Sequence, residues 1–539
     1  MADSDLNSND QGFLLREDND PKKPIKKRIN DYHAGKEVAK KLREKLCYDY
    51  SSKCWGRWVG THWHMSPDPS DAIHKIAKTV AEGCEPIGYS QRYRNAISQQ
   101  IEEHRHLQRP ELATGVVPFE NGLLEIESGT LRPAIPESAT DFILPHKFDV
   151  KAVCPTIKHW LLESVEGDEG TVEVLRAFLS ALIRGMPLQK FLLLIGPGGT
   201  SKGTFQRLMV ALAGELNTET STLANLENNR FEPAKHYGKR LCLINEAGKF
   251  GGQLNMLKAM TGGDHLPMER KNQQQSGTFK YDGLVLMATN DEISSSDSGL
   301  ERRRITIRFN RVVTTERQEE WRKKGGETSV LHKEIPGLIL WLLELSEADI
   351  HDRLHQLPER IKAANVLGMR AGSSVADWVH EECDFEPGSE SEIGLYKPDD
   401  HMTHNKLYPA YRIWCKATGR KHPLAQNKFK ANLIEVAATL GHELTERQDG
   451  TTRRTLIVGL KLQKVISAKV ASVASSGFEN STNTGEFEAA EGTEGILSKK
   501  TFQNNCGELP SAIDSTPPNS GPAPKMTFPK EFQDSKALN

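Results

Sequence analysis

The stretch that most restricts what this chain can fold into runs from Phe191 to Thr204, FLLLIGPGGTSKGT. Phe191 to Ile195 is an apolar run that reads as a buried strand of a parallel sheet, and it breaks at Gly196-Pro197-Gly198-Gly199. A helical pattern follows, with Phe205, Leu208, Met209 and Leu212 on one face. Strand, glycine turn and helix in this order are the context a phosphate cradle requires. Successive backbone N–H groups point into one concavity, the helix N-terminus adds its positive end, and the Lys202 amine can reach the β and γ phosphates of a nucleotide. The candidate nucleotide-binding set is Gly196, Pro197, Gly198, Gly199, Thr200, Ser201, Lys202, Gly203 and Thr204.

Two positions depart from the GxxxxGK[ST] pattern. Ser201 stands where the second glycine is expected, and Gly203 where a metal-binding hydroxyl is expected, with Thr204 supplying one a step later. Ser201 is therefore expected to adopt a backbone shape usually left to glycine. The competing account is a plain glycine turn between a core strand and a core helix, which gives Lys202 no task.

At 539 residues the chain is too long for one core, and the formal charge of −2 leaves any nucleic-acid surface to be local. The eight cysteines form no CxxC pair, which argues against a disulfide framework or a zinc site. No apolar run approaches the roughly 18 residues that span a bilayer, so a cytoplasmic protein without membrane contact is expected.

Downstream of the loop a second apolar strand, Leu241 to Ile244, ends in Asn245-Glu246. An acid at the carboxyl end of a parallel strand beside a phosphate loop sits where ligands bind in open α/β sheets, so Glu246 is a candidate to activate water. Asn245 then stands where an Asp more often holds Mg²⁺. A third strand, Leu284 to Ala288, ends in Thr289-Asn290, and Asn290 suits a neutral hydrogen bond to the attacking water. Gly299 to Phe309, GLERRRITIRF, sets Arg302 and Arg303 just before a fourth strand, where a guanidinium can neutralise charge developing on a transferred phosphoryl group. Surface ion pairing is the bland account of such a cluster. Between the second and third strands, Leu257 to Gly283 has a polar middle that reads as an exposed hairpin. Its Arg270 and Lys271 suit a DNA backbone, and an ordinary solvated loop is the alternative.

Around this core, residues 1–30 read as a disordered tail carrying a basic patch from Lys22 to Arg28. Val38, Ala39, Leu42 and Leu46 mark a helix, and Ile73, Ile76, Ala77 and Val80 another. Cys54 to His64 reads as two short strands whose Trp55, Trp58 and Trp63 fit a small satellite core better than a base-stacking or metal site with His62 and His64. Val116 to Leu131 reads as a hairpin, and Leu175, Phe178, Leu179 and Leu182 as a helix stripe ending at Gly185. Beyond Asp399, two helical stripes and two strands around Asp449-Gly450, with Arg447, Arg453 and Arg454, suggest a winged helix that contacts DNA or docks protein. Residues 463–539 read as disordered.

The glycine-rich loop, the NE-ending strand, the TGGD-to-hairpin segment, the TN-ending strand and the paired arginines come in one series. That series resembles the superfamily 3 helicases, specifically the phage and plasmid primase-helicases related to the poxvirus type. FENGLLEIESGTLRP (Phe119 to Pro133), the stretch from Ala152 to Phe191 and EIPGLILWLLELS (Glu334 to Ser346) are similar to that family too, and the resemblance covers about Tyr32 to Leu460. It implies an α/β fold with a P-loop AAA+-like ATPase core over residues 151–350. A mixed α+β domain at 31–150 would precede it, and a small winged-helix-like domain at 395–462 would follow.

The resemblance also implies roles. ATP and Mg²⁺ are the cofactors; Lys202 and Thr204 take the phosphate and metal positions, Asn245 and Glu246 the acidic-strand positions, and Asn290 the sensor position. One of Arg302 and Arg303 reaches a neighbouring subunit's nucleotide, and Lys271 faces single-stranded or forked DNA in the pore of a ring expected to be hexameric. No stretch before Tyr32 is long enough for a primase catalytic domain, so a separate primase or polymerase is an expected partner. An ATP-driven DNA helicase in phage, prophage or plasmid replication is the reading adopted. An ATP-switched replication initiator without unwinding is its rival, and a small-molecule kinase, raised by the KGT ending alone, is a third.

Overall fold

A computed structural model describes residues 31–42, 44–66, 95–96, 99–100, 108–245, 253–271, 277–293, 298–398 and 404–463. Both terminal tails, the helix expected around Ile73 to Val80, and Glu246 lie outside the described residues. The elements below belong to one compact unit that ends at Leu462.

The chain is α/β, and its centre is a five-stranded parallel sheet. Its strands are β7 (Phe191–Ile195), β8 (Thr218–Ser221), β9 (Leu241–Ile244), β12 (Leu284–Thr289) and β13 (Arg304–Arg308). They lie side by side in the order β13-β7-β12-β9-β8. Every residue of β7, β9 and β12 is buried, which explains their unbroken apolar sequence: helices cover both faces of a parallel sheet. β8 was not foreseen. Its sequence is TETS, because an edge strand has only one neighbour and tolerates polar side chains.

The helix Glu169–Arg184 starts at the Asp168 cap and ends at Gly185, whose φ of 64° is the left-handed stop its sequence called for. Its buried Arg176 donates to the Trp341 carbonyl and to Glu344, and the Ser180 hydroxyl donates to the Leu342 carbonyl at 2.9 Å. These bonds tie it to the helix Ile335–Leu343, whose Leu338, Trp341 and Leu342 are buried as the stripe required.

Ahead of the sheet, β1 (Leu46–Asp49), β2 (Cys54–Trp58) and β3 (Trp63–Ser66) form an antiparallel meander. Trp55 and Trp63 are buried, and the Trp63 indole donates to the Pro136 carbonyl at 2.8 Å, so the tryptophans pack a satellite core. Burial lowers the His62 pKa to about 4, and no group of three or more metal-binding side chains occurs among the described residues. A second meander joins β4 (Val116–Phe119), β5 (Gly122–Glu125) and β6 (Leu131–Arg132), the hairpin expected around Asn121-Gly122.

The hairpin between the second and third apolar strands is also present. β10 (His265–Met268) pairs with β11 (Gly277–Lys280), and its tip, residues 272–276, lies outside the described set.

The C-terminal module is winged-helix-like. The helix Ser374–Glu382 leads into β14 (Cys383–Glu392); the helices Leu407–Ala417 and Gln426–Thr439 follow, then β15 (Thr445–Gln448) and β16 (Thr455–Leu462). Trp378, Tyr411 and Phe429 form its aromatic centre, with ring centroids 4.7 to 5.9 Å apart. The module takes in a helix and a strand before residue 395. β14 was missed because its sequence, CDFEPGSESE, is charged and broken by Pro and Gly at a bulge.

Candidate active site

The phosphate loop leaves the buried β7 at Gly196, where a Cβ would lie 2.0 Å from the Phe309 carbonyl oxygen, so only glycine fits. Gly199 has φ 77° and Ser201 φ 69°. Ser201 thus carries the left-handed shape expected at the position where glycine is usual, at a cost of about 1–3 kcal/mol. The helix Lys202–Ala213 begins at once and is anchored by Phe205, Leu208, Met209 and Leu212, all fully buried. No acid sits in its first turn, so the N–H groups there keep their positive field.

Lys202 Nζ donates to the carbonyl oxygens of Gly196 at 2.6 Å and Pro197 at 2.8 Å. Burial lowers the pKa of this amine. A charged amine held by neutral carbonyls over a glycine loop is suited to an incoming anion.

The neighbouring strands end level with β7. Thr289 pairs with Ile195 and Met287 with Ile244, which brings Asn245 and Asn290 out at the same carboxyl edge. Both are exposed and line, with residues 199–204, a single cleft of about 1590 Å³. The Asn245 Oδ1 accepts from Gln206 Nε2 at 2.6 Å. Asp291, one residue past Asn290, lines the cleft as well and carries no periodic signal that would single it out.

The cleft's other wall is a strap, residues 311–327, that sequence reasoning did not foresee. Arg311, Arg317, Trp321 and Glu327 line the cleft, and Trp160 faces it from the helix Pro155–Ser164. The Thr204 hydroxyl, 123 residues away in sequence, donates to Glu327 Oε1 at 2.7 Å. Burial acts to raise the Glu327 pKa, but hydrogen bonds from Arg207 and Thr204 outweigh it and hold the carboxyl below the usual glutamate value. Such a pairing joins residues more than a hundred positions apart, and no spacing rule reaches that far.

Arg302 and Arg303 are not brought to this cleft in a single chain. Arg304 pairs with Phe191, at the start of β7, whereas the loop follows Ile195 at its end. Four residues of strand put the two edges about 13 Å apart. Arg302 is exposed and its carbonyl accepts from Lys190 Nζ at 2.7 Å; Arg303 Nη1 donates to the Lys258 carbonyl at 2.9 Å. On the hairpin, Lys271 is exposed, but Arg270 is half-buried with Nη2 2.5 Å from Cys54 Sγ, a residue of the first meander that packs into the core of the parallel sheet.

Two family models match the chain. Residues 26–166 match the family described as D5 N terminal like, and residues 194–304 match a family of unknown function, DUF5906. The first spans both meanders, and the second runs from inside β7 across the phosphate loop to the start of β13. These matches support a relative of the phage and plasmid primase-helicases, which is coarser than the superfamily 3 assignment expected from the motifs. An uncharacterized mitochondrial protein, ymf21 of Marchantia polymorpha, is 26% identical over 124 residues, covering 21% of this chain and 69% of that protein. Among solved structures, the A form apo structure of the NrS-1 C terminal region aligns over 80% of this chain and all of that one, with TM-score 0.44 and 15% identity. A further apo structure of that region, residues 305–718, gives TM-score 0.38 and 14% identity over 80% of this chain and all of that one.

Proposed function

We propose that the chain is an ATP-driven DNA helicase of a phage, prophage or plasmid replication system, active as a ring with nucleotide between subunits. The observation that carries this reading is the level meeting of the phosphate loop, Asn245 and Asn290 at one edge of the parallel sheet, in a cleft large enough for a nucleoside triphosphate. The loop amides and Lys202 bind the phosphates, and Asn290 orients a water for attack on the γ phosphorus. Glu246 is the candidate base, following Asn245 directly in sequence.

Mg²⁺ is compatible with this donor set. That ion keeps several waters and binds through substrate phosphates plus one or two protein oxygens, and Thr204, Asn245 and Asp291 supply oxygens around the cleft. When bound, it would neutralise phosphate charge.

The amino-edge position of Arg302 and Arg303 supports a role toward a neighbouring subunit, since neither faces its own chain's loop. DNA contact is assigned to Lys271 on the β10–β11 hairpin; Arg270 supports the arm by its contact with Cys54.

ATP turnover and strand displacement test the reading. Single-stranded DNA should stimulate hydrolysis, forked DNA should be unwound, and Lys202→Ala should cut hydrolysis by about 10²–10³ and unwinding with it. DNA binding and assembly with ATP bound but no unwinding would favour the initiator. Turnover on a small acceptor, indifferent to DNA, would favour the kinase.

A further inference from the structure

Glu327 makes more than one contact at the loop. Arg207 clamps its carboxylate at two points, with Nε 2.7 Å from Oε2 and Nη2 2.6 Å from Oε1, while Thr204 holds Oε1. Arg207 also lies against Gly203, where a Cβ would meet its Nη1 at 3.2 Å. Position 203 is where the phosphate-loop pattern carries a hydroxyl, so the missing side chain and the guanidinium belong together. Thr204, Arg207 and Glu327 form one closed triangle at the mouth of the phosphate site.

The carboxylate stands in the first turn of the short helix Gly326–Val330. Glu327 directly follows Gly325 and Gly326, both in the left-handed region at φ 91° and 78°. Behind this joint the strap is pinned elsewhere: Val313 N donates to the Gly199 carbonyl at 2.9 Å, and Arg317 pairs with Glu163 at 3.3 Å.

We propose that Glu327 and Arg207 form a carboxylate latch on the phosphate site, closed while Glu327 holds Thr204 and opened by a nucleoside triphosphate. The inference rests on the nucleotide-binding reading above. An ionised carboxylate beside the loop repels an incoming polyphosphate, and the phosphate offers Arg207 the same two-point pairing that Glu327 gives it. Binding therefore proceeds by exchange: phosphate oxygens take the guanidinium and the Glu327 side chain rotates away. Apparent affinity is reduced by the fraction of chains whose latch is open. A latch closed nine times in ten weakens binding about tenfold.

Calorimetric titration of the full chain with ATP and Mg²⁺ tests this. Glu327→Gln, nearly the same shape without the charge, is expected to bind about five- to tenfold more tightly than wild type. Glu327→Asp, too short to span the triangle, should tighten binding by a smaller factor and serves if the first variant folds poorly. Lys202→Ala with Glu327→Gln should lose binding. Wild-type binding left unchanged or weakened by both Glu327 variants overturns the latch alone, the weakened case making Glu327 a helper of the metal or nucleotide. Absence of binding by wild type and by both variants overturns the nucleotide reading and the latch with it.

Discussion

The two edges of the parallel sheet differ in which polar groups they leave open. At the carboxyl edge Lys202 rests on neutral carbonyls and Asn245 and Asn290 are exposed to a wide cleft, beside the paired Arg207–Glu327 and Arg308–Glu292. At the amino edge the charges are consumed: Arg304 is buried in an ion pair with Glu301, and Arg240 and Arg109 both pair with the buried Asp141. Groups that stabilise a fold have their partners inside it, whereas groups meant for a ligand are left with replaceable ones. Arg302 is the exception at the amino edge, since its side chain is exposed.

That exception gives the largest expected effect. If Arg302 serves a neighbour's nucleotide, Arg302→Ala should lower DNA-stimulated ATP hydrolysis about 10³-fold or more. Mixing this variant with Lys202→Ala should restore part of the activity, because some interfaces then pair an intact loop with an intact arginine. No recovery on mixing would place Arg302 with the structural charges. Arg303→Ala, run in parallel, tells which of the pair acts.

The next effect separates chemistry from stability. Lys202→Ala should cut ATP turnover by about 10²–10³ while shifting unfolding free energy within about 0.5 kcal/mol. Arg304→Ala should do the reverse, costing about 3–5 kcal/mol in urea unfolding by breaking its buried pair with Glu301.

A pH series sharpens the contrast further. His236 lies fully buried just ahead of β9, at the amino edge, and burial lowers its pKa from 6.5 to about 4. The unfolded chain therefore takes up this proton first. Stability from the neutral ring is present above pH 6.5 and is lost as pH falls from about 6.5 to 4, by up to about 3 kcal/mol. His236→Leu should flatten that part of the urea-midpoint profile, and an unchanged profile would remove His236 as its source. The smallest effect belongs to the carboxyl edge: Ser201→Gly should raise stability by about 1 kcal/mol by relieving the left-handed serine, with ATP affinity retained.

Particular residues show what was legible. The loop, three of the four other strands, the Glu169–Arg184 helix with its Gly185 stop, and the winged-helix-like module all carry local signals of period, turn chemistry or capping. β8 and β14 do not, because one is a polar edge and the other a bulged, charged strand. Arg270 read as a DNA contact because its neighbours are polar; folding the hairpin beside the first meander turns it to Cys54. The strap with Trp321 and Glu327 has no local mark of function, since its chemistry comes from what it is laid against.

The sequence by itself determined that a phosphate-shaped loop follows a buried strand, since a run of apolar residues, glycines at a turn and one lysine are local facts of backbone sterics. It also determined which residues can stand at strand ends. Only the tertiary structure decided which strand ends are neighbours, that the paired arginines stand at the far edge from their own loop, and that Glu327 reaches Thr204. Sheet order and long-range closure depend on packing between segments distant along the chain, and no local pattern encodes them.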